Sequence, residues 1–411
     1  MSVFTSGVDT GNIGATTDLV KKSFAGMITR LMPNGSAPLF GMTSMIGSET
    51  ALAVEHGFFT KTMLFPQATV NAGTLTSGTT TITVADSSNI IPGMILQHAT
   101  TRENILVTAV PTATTLTVVR GVGTVAAASF LDATNWYQVG TAFEEGSARP
   151  QAVNVTPVRI TNLTQIFRNT WALSGSAQAT EVIAGDTPIA ENRQDCAAFH
   201  AADIEKALFF GQKSQGTRNG QPFRTMDGLI SIVSNLAYYP PSYAVPNVFT
   251  ALSTTNYTQL EAMLDPVFNQ TTDPKVANER ILFVGGDAKK VVNNIGRLNG
   301  TYMMVDGQTN WGLQFSTFKT TRGTFRVVEH PLFNSNPSWS KMAIAVDLST
   351  FSLAYLGNRK TQLKEFNVEG GTAQDNGIDA VGGTLTTELT TEIRNPPANT
   401  VIYGLTAAAA G

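Results

Sequence analysis

The sequence predicts an α+β protein, and three observations carry that prediction. Residues 187–213 read as one long helix in a chain otherwise written in short strands and turns. Residues 68–140 carry β-prone runs at roughly 10–12-residue spacing between turn clusters, the signature of a small all-β module. Residues 279–300 set an apolar strand before a Gly-Gly turn and a second helix, an α/β arrangement.

The long helix carries its own boundary signals. Thr187 can cap the first turn, Pro188 takes the first helical position where its missing N–H costs nothing, and Glu191 lies near the positive end of the dipole. Cys196, Phe199, Ala207 and Phe210 recur at helical spacing, with Ala197, His200, Ile204 and Leu208 as a second apolar row beside them. Glu191, Arg193, Asp195, Asp203, Glu205 and Lys206 are expected on the remaining surface. Gly211 and Gly216 offer stops, giving a rod of ~40 Å.

Upstream, residues 1–16 read as an extended arm and Asp18 opens a short amphipathic helix with Leu19, Phe24, Met27, Ile28 and Leu31 on one side. The Pro38–Phe40 corner and Met42–Met45 show no clear periodicity. Val54–Phe65 is an expected strand whose return lies within 141–170, through Val153, Val155, Val158 and Ile160. Between these arms, strands are expected at Thr79–Ala85, Met94–His98, Ile105–Val110 and Leu116–Val119. Their module is an insertion at a hairpin tip.

Downstream of the helix, 215–224 reads as a polar turn, Leu229–Val233 as a short apolar segment and 238–256 as a loop. Tyr257–Phe268 is an expected helix, Ile281–Val284 a fully apolar strand, and Asp287 the cap of a helix ending near Gly296. Residues 300–320 read as an exposed functional or interface loop. Strands follow at Gly323–Glu329, Met342–Val346, Phe351–Tyr355, Leu363–Val368 and Thr384–Ile393, the last two around a GGTAQDNG turn. The TAAAAG tail is expected to be disordered.

Composition narrows the function. Of 411 residues only 14% are charged, against roughly 25% in ordinary soluble domains. Subunits that cover one another need less charge than a dispersed monomer, so the shortfall favours extensive self-association. A net charge of −3 argues against a strong nucleic-acid binder but not against a container for nucleic acid. The single cysteine, Cys196, excludes an intrachain disulfide. No signal peptide opens the chain, which predicts synthesis in a cytoplasm. The uncharged stretch 228–260 is broken by Pro240, Pro241 and Pro246, so no membrane span is predicted.

No residue set reaches catalysis. Gly285–Lys290 lacks the GxxxxGK[ST] spacing of a phosphate loop, and a capped strand-turn-helix accounts for its glycines. His56, His98, His200 and His330 fall in four elements without metal-ligand spacing. Cys196 and His200 stand four apart on one helix with no orienting partner, so a packed thiol is expected. Glu144 and Glu145, adjacent on a strand, point to opposite faces. Arg159, Arg168 and Arg193 are expected to form intersubunit ion pairs or to be solvated. The expectation is a non-enzyme with no catalytic, cofactor or metal site.

The order of parts resembles the Hong Kong 97 fold of tailed-phage major capsid proteins, nearest the phage SU-ten-like major head proteins. The resemblance rests on TQIFRNTWALSG at Thr164–Gly175, TMDGL at Thr225–Leu229, the strand-turn-helix Ile281–Gly300 and ILVTAVPTATTLTVVRG at Ile105–Gly121. It implies an N-terminal arm and short helix at 1–50 and an extended loop at 51–163 with the module inserted at 68–140. It further implies spine helix and peripheral domain at 164–224, axial domain at 225–350, and return strands with a flexible tail at 351–411. The implied function is a structural subunit forming hexamers and pentamers of an icosahedral head around double-stranded DNA. The implied partners are other copies of the chain, DNA held by weak non-specific contact, and portal, scaffolding and decoration proteins, with no membrane. The implied location is the virion capsid, and the host cytoplasm during assembly. Lys61 is a crosslinking candidate by position alone, and no isopeptide bond is expected there. An encapsulin-like compartment, which the inserted module and loose arm weigh against, and a β-rich tail or adhesin component are the alternatives.

Overall fold

The computed structural model describes residues 37–61, 66–130, 133–150, 152, 157–180, 188–240, 243, 245–251, 255–270, 278–298, 309–310, 313–314, 316–367 and 379–406. The expected arm at 1–16, the helix from Asp18, the Thr187 cap, the GGTAQDNG turn and the tail from 407 lie outside them. The chain divides into two compact units, Met1–Phe58 with Thr161–Gly411, and Phe59–Ile160.

The first unit is organised on the helix Pro188–Phe210, which buries Cys196, His200, Ile204, Glu205, Leu208 and Phe209. Two expectations are corrected here. Phe199 is 63% exposed, because the buried stripe runs through 196, 200, 204 and 208 and one turn of 3.6 residues adds 205 and 209 to it rather than 199. Glu205, expected on the surface, is fully buried.

The Glu205 carboxylate has a specific task. It accepts the backbone N–H groups of Leu39 at 2.8 Å and Phe40 at 2.7 Å, and it meets Nε2 of His330 at 2.8 Å. Leu39 and Phe40 lie in the first turn of a helix, Pro38–Ile46, whose own N-cap residue, Ala37, supplies no side-chain cap. The orphan amides of that turn are therefore satisfied from another helix 165 positions along the chain. Leu39 and Met42, one turn apart, bury the inner face. The expected corner at Pro38–Phe40 is this helix.

Two sheets flank the spine helix's core. In the six-stranded sheet the order is Val248–Thr250, Thr400–Tyr403, Ala343–Val346, Glu279–Val284, Thr324–Glu329, Ser316–Lys319. Its central strands are apolar without alternation because both faces are covered. Phe283, Ile344 and Val346 pack with Leu208 and Phe209 of the spine, whereas Leu282, Val284, Ala343 and Ala345 pack with Leu260 and Leu264 of the helix Tyr257–Leu264 and with Val291 and Ile295 of the helix Gly286–Leu298. The other sheet has five strands: Ser48–Ala51, Phe351–Leu356, Ala380–Ile393 and Gln165–Ser174, with Gln362–Phe366 also paired to Ala380–Ile393.

Several boundaries differ from expectation for identifiable reasons. The polar turn at 215–224 is a hairpin, Ser214–Arg218 with Gln221–Thr225, closed by Asn219 and Gly220 at φ +53° and +73°, the two-residue turn that matches strand twist. The helix from Tyr257 becomes a 3₁₀ turn at Asp265–Phe268, where Pro266 removes an N–H. The loop expected through 320 ends in the strand Ser316–Lys319, paired to Thr324–Glu329. Thr400–Tyr403 and, in the module, Asn135–Thr141 are strands that local pattern did not reveal.

The TMDGL segment follows the hairpin and docks on the end of the spine. Gly228 donates its N–H to the Gly211 carbonyl at 3.0 Å, and a Cβ on Gly228 would stand 2.7 Å from the Ala207 carbonyl oxygen, so only glycine fits. Asp227 donates its N–H to Asn162 Oδ1 at 2.8 Å, while Asn162 and Thr391 both donate to the Asp227 carbonyl.

The second unit is a six-stranded sheet of order Gln67–Thr69, Asn135–Thr141, Met94–His98, Asn104–Thr112, Thr115–Val119, Thr81–Thr83. Ile82, Leu96, Ile105, Val107, Leu116, Val118 and Trp136 form its own core. Glu103 is fully buried and receives Arg120 Nε at 2.6 Å and Nη2 at 2.8 Å, with the amides of Gly121 and Ala128. Burial pushes this carboxyl up, but the Arg120 and backbone hydrogen bonds outweigh it and hold Glu103 below the usual range.

Glu205→Gln would set an NH₂ group against an amide donor of the helix Pro38–Ile46. It is expected to destabilise the unassembled subunit by about 1–3 kcal/mol, read as a lower denaturant midpoint with faster amide exchange at 39–46. An unchanged midpoint would remove the carboxylate from this capping role.

Candidate assembly interface

Among the described residues, the strands Glu55–Thr60 and Val158–Leu163 pair with each other and with no third strand. No residue of Glu55–Thr60 is buried; its side chains alternate between exposed and half-buried. A lone two-stranded ribbon is marginal in water. Beside it the chain exposes an apolar run: Met45, Ile46, Val54, Leu52 at 95% and Phe59 at 70%. Large apolar side chains displayed in one stretch mark an interaction site rather than a free surface.

The base of the ribbon is fixed by buried carboxylates on the return strand Ala380–Ile393. Glu388 and Glu392, four residues apart and so on one strand face, are both almost fully buried. Glu388 accepts Thr164 Oγ1 at 2.9 Å and is paired with Arg224 at 3.2 Å and Arg359 at 3.1 Å. Glu392 meets His56 Nε2 of the ribbon at 3.0 Å and Arg394 Nε at 2.6 Å, and Arg394 also bonds Glu49. Burial raises the Glu392 carboxyl, yet hydrogen bonds from Arg394 and then His56 hold it below its ordinary value.

Among the described residues, Glu49, His56 and Glu392 have the mutual spacing of metal ligands, their ligand atoms lying within 4.8 Å of one another. Arg394 bonds both carboxylates, so the positive charge at this cluster is a guanidinium. Sequence spacing did not bring these residues together; the sheet does.

The other residues singled out in the sequence fall into structural roles. His98 packs against Phe130 and Trp136, with Nδ1 accepting the Thr101 N–H. His200 is bound at 2.7 Å by Asn169 on one ring nitrogen and at 2.7 Å by Thr387 on the other, leaving neither nitrogen for Cys196. Burial lowers both imidazoles and raises the Cys196 thiol, the opposite of activation. At Gly285–Lys290 the amides of Gly286 and Asp287 are taken by Asn334 Oδ1 and Ser340 Oγ, and Lys289 and Lys290 by Glu329 and Asp287, which leaves no phosphate cradle. Arg193 binds Glu365 of its own chain at 2.6 Å, a correction to its expected intersubunit or solvated role. Glu144 and Glu145, expected on a strand, lie beyond the end of Asn135–Thr141 in a turn, and they and Arg168 are exposed. No described helix is long and apolar enough to cross a membrane.

Spine helix, two-sided sheet, two-stranded ribbon and return strands together define a Hong Kong 97-like capsid fold. The capsid of a native GTA particle has a similar fold, at a TM-score of 0.50 and 8% identity over 98% of this chain and 100% of that one. The sequence is more specific: residues 8–406 match the family described as SU10 major capsid protein. A major capsid protein of Pseudomonas phage PaMx41 is 38% identical over 397 residues, covering 94% of this chain and 93% of that protein. The chain belongs to the SU10 major capsid protein family and is a structural subunit of a phage capsid.

Glu392→Gln tests the ribbon anchor through pH. The folded carboxyl titrates below its unfolded value of 4.5, so its contribution is complete above that value and is lost as pH falls through the folded one. The variant is expected to be less stable than wild type by about 1–3 kcal/mol at neutral pH, with the gap closing as pH drops below 4.5. A gap that stays constant across acid pH contradicts the assignment.

Proposed function

We propose that copies of this chain close into an icosahedral shell of hexamers and pentamers around double-stranded DNA. In this reading residues 51–67 and 141–163 form the extended loop, laid over a neighbouring copy. Residues 225–350 serve as the axial domain at capsomer centres, and the spine with the strands after 351 as the peripheral domain. Assembly takes place in the host cytoplasm, with portal, scaffolding and decoration proteins as further partners. DNA contact is weak and non-specific, consistent with a net charge of −3. The chain has no catalytic role, a reading supported by the occupied ring nitrogens of His200 and the capped amides at Gly286 and Asp287.

One observation carries this proposal: the strand Glu55–Thr60 buries none of its side chains and exposes Phe59, in a stretch of chain that also exposes Leu52. Apolar segments that find cover only on another copy make head-to-tail contacts, and such contacts close into rings.

Phe59→Asp tests it, since a residue that exposed can change without disturbing a core. The variant is expected to stay soluble with an unchanged denaturant midpoint, yet to give subunits or capsomers in place of closed particles by electron microscopy. Normal particles from Phe59→Asp would remove the ribbon from the interface, and particles filled with protein instead of DNA would replace the phage-head reading with a cargo compartment.

A further inference from the structure

Two surfaces of this chain carry opposite charge that, among the described residues, the chain itself does not neutralise. The first is acidic. Glu144 and Glu145 stand in an exposed turn after the strand Asn135–Thr141, and among the described residues neither makes an ion pair. The turn is held on the module. The Ala142 N–H donates to the Gly93 carbonyl at 2.8 Å, and the Phe143 ring lies over Gly93 where a Cβ would otherwise stand. The Ser147 N–H closes the turn on the Glu144 carbonyl at 3.1 Å, so the two carboxylates start from a fixed backbone.

The second surface is basic and lies on the five-stranded sheet, on the side turned away from the spine. Val381, Leu385, Leu389 and Ile393 pack toward the spine, so alternation puts Thr384 and Thr386 on the other face. Register sets Arg168 opposite Thr386 from one neighbouring strand and Lys364 opposite Thr384 from the other. The two cations therefore flank the same pair of threonines, about 12 Å apart at ordinary strand spacing. Both are exposed, and among the described residues neither makes an ion pair. Glu388, next to Thr386 on this face, is buried and already shared by Arg224 and Arg359, and the Arg359 side chain is itself 48% exposed. Glu365 is turned to the opposite face, where it meets Arg193 of the spine. Asp379, exposed at the start of the central strand, is about 17 Å along it from Thr384, beyond the ~10 Å screening length of 0.1 M salt.

We propose that the Glu144–Glu145 turn of one copy docks on the Arg168–Lys364 face of a neighbouring copy. This rests on the shell-forming reading and gives its extended loop a landing site. Charge complementarity identifies the occupant: two adjacent carboxylates meet two cations that flank one pair of threonines, and every copy supplies both halves in equal number. A phosphate backbone, with one charge per about 1.7 Å of duplex, calls for a longer basic track than two side chains. A contact between two different patches is head-to-tail, the kind that closes into rings. Complementary charges fix register and suppress wrong pairings more than they add affinity. Adhesion is therefore left to apolar side chains such as Phe59, and the ion pairs decide where the loop comes to rest.

The experiment reverses the charges in the full-length chain and counts closed particles by electron microscopy. All four side chains are exposed, so the core is untouched and an unchanged denaturant midpoint checks this. Wild-type chain is assembled alongside; its failure to close shells would count against the shell-forming reading and is seen separately from this contact. Glu144→Lys with Glu145→Lys, and separately Arg168→Glu with Lys364→Glu, are each expected to lower the yield of closed particles about tenfold. The four changes together are expected to restore it to within about twofold of wild type, because the pairs re-form with their signs exchanged. Wild-type yield from either double variant overturns the proposal, as does a quadruple variant no better than the doubles. Normal particles from Arg168→Glu with Lys364→Glu that have lost their DNA also overturn it, because the face is then a nucleic-acid contact.

Discussion

A two-stranded ribbon offers each strand only one pairing edge, and in this one the strand Glu55–Thr60 buries no side chain; that constraint governs this molecule. Glu55–Thr60 and Val158–Leu163 satisfy each other's backbone on one edge only and bury none of the side chains of Glu55–Thr60. The free energy that would hold such an element must come from another surface. A protein so built is stable as a body and incomplete as a shape. The depleted charge has the same cause: surfaces that end up covered do not need it.

The body is designed to hold the foot of that ribbon still. Ala380–Ile393 runs through the five-stranded sheet and presents Glu388 and Glu392 on one face, each carboxyl met by arginine, threonine or histidine side chains. Removing one partner from a buried pair costs more than forming it contributes, so the groups act as a set. Glu205 does the same for the N-terminal side, holding the first turn of Pro38–Ile46 against the spine and against His330. Both devices join segments far apart in sequence to the same core of Leu208, Phe209, Leu353 and Leu389. The exposed apolar side chains between Met45 and Phe59 thus flank a strand, Ser48–Ala51, that is paired into the five-stranded sheet.

What was legible in the sequence followed local periodicity. The spine helix, the strand at Met94–His98 and the two-sided strand before Gly286 were visible because their patterns repeat over one element. The buried face of the spine was misread because Ala and Phe occur on every side, leaving no apolar stripe to choose. The helix Pro38–Ile46 was missed because its cap is Glu205, and no local window contains a donor set completed 165 residues away. Glu388 and Glu392 had a readable signal: two lone acids within TTELTTEIR, in a chain with little charge, are candidates for burial. Thr400–Tyr403 is too short to announce itself.

The central claim is that the reaching segment is covered only by another copy. Amide hydrogen exchange across 52–60 and 157–159, compared between unassembled subunits and closed particles, measures this directly. The account predicts rapid exchange in the subunit and strong protection in the particle, with the spine helix equally protected in both. Strong protection of those residues in the isolated subunit would contradict it.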